Sequence, residues 1–107
     1  MARRQILQNV LEEFLGSKNV YFQPPTNMRM SYPAIVYDLD NPDVKKADNI
    51  NYSIIDRYSV TLIVHDPDSP LIHKMLHLEH NGEPIMVRLD RPFCSDNLNH
   101  YVYTIYF

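Results

Sequence analysis

Residues 54–78, IIDRYSVTLIVHDPDSPLIHKMLHL, leave this chain few choices of fold. Ile54, Asp56, Tyr58, Val60, Leu62 and Val64 fall on one side of an extended chain; Ile55, Arg57, Ser59, Thr61, Ile63 and His65 fall on the other. A period of two in β-branched and aromatic side chains is the mark of a strand. The strand must end at Asp66-Pro67-Asp68-Ser69-Pro70, where two prolines stand among turn-forming residues. Asp68 or Ser69 can accept from the free amides of a new helix, and Pro70 suits its first turn, where an amide has no partner to lose. Leu71, Ile72, Met75 and Leu76 then recur at helical spacing, with His73, Lys74 and His77 opposite. A long strand with a helix folding back over it is an α-on-β nucleus to which other strands can add.

The flanking sequence supplies them. Over residues 3–15, Ile6, Leu7, Val10, Leu11, Phe14 and Leu15 form a helical stripe, and Gly16 suits the C-terminal cap. Arg3 and Arg4 fall in the first turn, where the helix dipole disfavours cations, so they are candidates for an acidic partner. Val20-Tyr21-Phe22 is a short extended piece. Residues 32–38 (YPAIVYD) read as a strand that starts at Pro33 or lies on an edge there, since proline cannot donate to a ladder. The thirteen residues 39–51 (LDNPDVKKADNIN) are polar, and a connection of that length in a small domain is a binding loop or the tip of a long hairpin. After a turn at 80–84, residues 85–93 alternate with Ile85, Val87, Leu89, Arg91 and Phe93 on one face, and residues 100–107 close the chain as a last strand. The expected fold is one α+β domain over 1–107. It is a mostly antiparallel sheet of four to five strands with two helices on one face, and 39–51 projects as a loop or arm.

With 107 residues and a net charge of −3, the chain can build one modest core and carries no broad cationic field for nucleic acid. Its ten basic residues are scattered apart from Arg3-Arg4 and Lys45-Lys46. The single cysteine, Cys94, allows no internal disulfide and fits a reducing compartment. Neither a membrane-length apolar run nor a signal-peptide core is present, so a cytosolic site of synthesis is expected. Eight tyrosines are compatible with strands and with contact surfaces alike.

The chemical candidates each have a plain structural explanation. His65, Asp66 and Asp68 can ligate a metal or transfer protons, but this Asp-Pro-Asp-Ser-Pro spacing also suits a turn and a cap. His73 and His77 have the i, i+4 spacing of a helical metal pair, with His80 near, yet they lie opposite the apolar stripe and lack a following glutamate. Cys94 and His100 form a nucleophilic pair only if an electropositive pocket lowers the thiol pKa, and the sequence supplies none. Two glycines cannot build a phosphate loop. Neither a catalytic residue, a metal nor a cofactor is assigned, and a module acting through its surface is expected.

Five pieces in order carry a resemblance: Tyr21-Phe22-Gln23-Pro24-Pro25, Tyr32-Pro33-Ala34-Ile35-Val36-Tyr37, Asp56-Arg57-Tyr58-Ser59-Val60-Thr61, Asp66-Pro67-Asp68-Ser69-Pro70 and Leu98-Asn99-His100-Tyr101. Together they span nearly the whole chain and resemble the tail terminator, or tail-completion, proteins of long-tailed bacteriophages. The resemblance implies a hexameric ring in the tail and neck of the virion, assembled in the host cytoplasm. Such a ring sits on the last ring of tail-tube protein, stops its growth and meets the head-side connector or stopper, with DNA passing through the lumen. It implies no catalytic residues. Candidate contacts with neighbouring subunits or partners are Arg3, Arg4, Asp40, Asp43, Lys45, Lys46, Asp48, Tyr52, Arg57 and Tyr58. The alternatives are another neck or head-completion connector and, from a different class, a small metal- or ligand-binding enzyme using His65, Asp66, His73 and His77.

Overall fold

A computed structural model describes residues 3–25, 29–43 and 55–107, and the side chains of all of these except 3, 41–43 and 55. Helix α1 (Arg3–Leu15) precedes strands β1 (Val20–Phe22), β2 (Ala34–Asp43) and β3 (Ile55–Val64). A short helix α2 (Leu71–Lys74) runs into a 3₁₀ turn (Met75–His77); β4 (Glu79–His80), β5 (Glu83–Pro84), β6 (Met86–Ser95) and β7 (Leu98–Tyr106) follow. Five strands form one sheet in the order β1-β2-β3-β7-β6, and β4 and β5 make a separate small hairpin. All pairings in the main sheet are antiparallel except β1 with β2, which is parallel.

The alternation in β3 sets the layers. Tyr58, Val60, Leu62 and Val64 are all buried, and the register places Val60 between Tyr37 of β2 and Tyr103 of β7. Leu7 and Leu11 of α1, with Ile72, Met75 and Leu78, close over this face, so both helices share one core with the sheet. The opposite face has no helix on it among the described residues. Gly16, at φ 79°, ends α1 with its amide donating to the Glu12 carbonyl, a left-handed position that glycine fills without steric penalty. Asp96 and Asn97 both take positive φ, which gives the tight turn that joins β6 to β7. Phe107 is buried, and its amide donates to the Asp56 carbonyl at 3.1 Å, so this residue belongs to the packed structure.

Three expectations change. The second strand is shifted and longer: it starts after the cis Tyr32–Pro33 bond and runs to Asp43, so residues 39–43 are ladder rather than loop. The expected arm over the remainder of 39–51 lies outside the described residues. The second helix is a single α turn, with Met75–His77 wound tighter as 3₁₀. Ser69 Oγ accepts the Leu71 amide at 3.2 Å, while Asp66, not Asp68, anchors the turn by accepting the Asp68 amide at 2.9 Å. Finally, the single alternation through 85–93 breaks at Asp90. Leu89 pairs with Tyr103 and Arg91 with Val102, so Asp90 is an extra residue in a bulge. Phe93 is thereby turned to the open face, opposite Val87 and Leu89.

Candidate functional site

The residues singled out from the sequence do not converge on a reacting centre. His65 is exposed and sits edge-on to Tyr32 at 5.8 Å. Asp66 holds the turn described above. His73 and His77 are exposed, and the tightening from α to 3₁₀ between them disturbs the spacing that would bring both to one ion. No group of three His, Cys, Asp or Glu side chains capable of holding a metal occurs among the described residues. A cleft of about 340 Å³ between α1 and the 3₁₀ turn has Glu13, His77 and Glu79 on its walls, but they do not form such a group. Cys94 is exposed, its thiol donating to Asn99 Oδ1 at 3.2 Å. His100 pairs with Phe93 across the ladder, one position from Cys94, so the thiol and the imidazole point to opposite faces of the sheet. That separation removes the Cys-His pair.

Of the candidate contact residues, Asp40 and Arg57 are brought together: Arg57 Nε donates to Asp40 Oδ2 at 3.2 Å, both part-exposed. Arg4 is engaged inside the chain, with its guanidinium 4.5 Å from the centre of the Phe22 ring and Nη1 donating to the Tyr37 hydroxyl at 3.3 Å. Its awkward place in the first helical turn is thus compensated by an aromatic pair that sequence spacing does not reveal. Tyr58 is a correction: at 3% exposure it is a core residue, because it shares the parity of Val60 and Leu62. Arg3 and Asp43 lie in α1 and β2 with side chains outside the description, and Lys45, Lys46, Asp48 and Tyr52 lie outside the described residues altogether.

What the fold assembles instead is a surface with unequal parts. On the open face, Arg88 Nε donates to Asp90 Oδ1 at 2.8 Å, and Asp90 also accepts from the Thr104 hydroxyl. Burial alone would raise the Asp90 pKa. Hydrogen bonds from Thr104 and Arg88, with the charges of Arg88 and Arg91, outweigh it and hold the carboxyl below its usual range. The bulge creates this cluster by aiming Asp90 back over Thr104. Farther along the same face the imidazole of His100 stacks on Phe93 at 4.6 Å, and its Nδ1 is buried without a hydrogen-bond partner.

The two edges differ more sharply. At the β1 edge, Gln8 of α1 donates from Nε2 to the Val20 carbonyl at 3.0 Å and accepts from the Tyr37 hydroxyl, so a helix side chain satisfies the edge backbone. At the other edge lies β6, ten residues long, where Met86 (67% exposed), Leu89 (38%) and Phe93 (43%) are three of the four large exposed hydrophobic residues among those described. The fourth is Leu39 (39%) on β2, just past the three residues of that strand that β1 covers. No single stretch of sequence shows this surface, because it depends on which strands end up outermost.

Comparison of the chain with protein-family models, with curated proteins and with solved structures finds no match.

Proposed function

We propose that this protein is a structural assembly component of a bacteriophage tail, a terminator that caps the completed tube as a ring and joins it to the head side. The observation that carries this proposal is the one-sided sheet with one edge sealed and the other studded with exposed apolar side chains. Large hydrophobic groups exposed along a strand whose outer edge has no partner among the described residues are a contact surface. An active site would need titratable groups converging in a recess; Cys94 and His100 point to opposite faces of the sheet, and His65, Asp66, His73 and His77 are exposed. The family resemblance across the chain supplies the particular assembly: a ring of copies, tube protein below, connector or stopper above, DNA through the lumen. No residue is assigned a reaction.

Electron micrographs of particles made without this protein test the proposal. Overlong or uneven tails, restored to uniform length by adding the protein, are the expected result. Normal free tails beside filled, unjoined heads would transfer it to a head-completion role instead. If the purified protein fails to bind the ends of tail tubes, the terminator proposal is wrong.

A further inference from the structure

We infer that residues 89–93 of β6 and residues 38–40 of β2 are the two halves of one head-to-tail contact between copies of this chain. The inference rests on the ring proposed above and names the surfaces that would build it. Among the described residues, three of the four exposed large hydrophobics lie along β6, and the remaining one, Leu39, lies in the second stretch. Among the described strands both stretches are sheet margins: β6 is outermost, and the pairing of β2 with β1 ends at Tyr37.

Charge decides the pairing. Across residues 86–95 two arginines face one aspartate, and Asp90 is already bound to Arg88. Arg91 makes no ion pair among the described residues and leans over Phe93 with its guanidinium carbon 5.9 Å from the ring centre. Leu39 is flanked by Asp38 and Asp40, of which Asp38 is exposed and has no partner among the described residues, whereas Asp40 is shared with Arg57. Two β6 margins meeting each other would oppose Arg91 to its own kind, and two β2 margins would oppose Asp38 likewise. Joining one to the other places Arg91 by Asp38 on the open face and Leu89 by Leu39 on the helix side. A contact made from two different patches propagates head to tail and closes as a ring where the rotation allows. The β1 edge takes no part, since it is only three residues long and Gln8 already occupies its Val20 carbonyl.

Static light scattering on the purified full-length protein, with the variants Asp38→Arg, Arg91→Asp and the double exchange, tests this. The wild type is expected to associate with rising concentration, and less so at high salt, because the charges are exposed. Each single exchange raises the midpoint concentration about tenfold or more, since like charges then face each other. The double exchange, and an equimolar mixture of the two single variants, regain association. These positions are exposed, so circular dichroism of each variant should match the wild type. A wild type that stays monomeric at the highest attainable concentration overturns the inference, as do single exchanges without effect or a double exchange that stays dissociated. A wild type that associates regardless of these charges would overturn this contact alone and leave a ring in place. If the wild type neither associates nor binds tail-tube ends, contact and ring both fail.

Discussion

The two margins of the sheet solve the same problem in opposite ways. At β1 the strand is three residues long, its carbonyl at Val20 is taken by Gln8, and Phe22 lies under Arg4, so the helix and the edge form a closed unit. At β6 the ladder is ten residues long and nothing described covers it. It is blunted rather than sealed. Pro92 has no amide to offer, the bulge at Asp90 twists the strand, and charged residues flank the bulge. Uncontrolled strand addition is thus discouraged while the apolar side chains stay available. The contrast teaches that exposure at β6 is selective: its side chains are presented and its backbone is partly withheld.

Substitutions can break that contrast, and their expected effects fall in size from the core outward. Leu11→Ala removes a fully buried side chain beneath the sealed side and should destabilise the fold by about 2–5 kcal/mol in denaturant titration. Gln8→Ala leaves the Val20 carbonyl without its side-chain donor and the Tyr37 hydroxyl without its acceptor, for a loss of about 1–3 kcal/mol. It should also open the β1 margin, detectable as faster amide exchange at Val20 and Phe22. Tyr103→Phe deletes the 2.7 Å hydrogen bond to the Ile72 carbonyl that ties β7 to α2, a loss of about 1 kcal/mol.

Burial pushes the Tyr103 pKa from 10.0 to about 12, with the Tyr101 charge adding to it. The folded state therefore favours the protonated phenol. Its contribution is whole below pH 10 and is lost as pH rises through about 12. In an ultraviolet phenolate titration one late-ionising tyrosine should vanish in Tyr103→Phe. Asp90 has the opposite sign. Its depressed folded pKa makes a contribution present above the ordinary value of 3.8 and lost as pH falls through the folded value. Asp90→Asn should thus lower the denaturant midpoint at neutral pH, and its gap from wild type should narrow on acidification.

At the open margin, Leu89→Ser should cost less stability than Leu11→Ala, because more than a third of the Leu89 surface is already in water whereas Leu11 is fully buried. Its effect should appear in self-association, read by light scattering. Equal destabilisation by Leu89→Ser and Leu11→Ala would abolish the distinction between an available edge and a packed interior.

Much of the layer structure could be read from the residues in order. The alternation from Tyr58 to Val64 names the buried face of β3, and the stripe from Ile6 to Leu15 names the face that α1 turns to it, because periodicity maps directly onto geometry within one element. The same is true of the turn at 66–70, whose prolines and aspartates act on their immediate neighbours. Tertiary structure alone decided the rest. The parallel pairing of β1, the extra residue at Asp90 that turns Phe93 to the other face, Gln8 on the Val20 carbonyl and Arg4 on Phe22 all join parts of the chain distant in sequence. No local pattern encodes them, since an edge is an edge only by virtue of what fails to pair with it, and that is settled when all the strands have found their places.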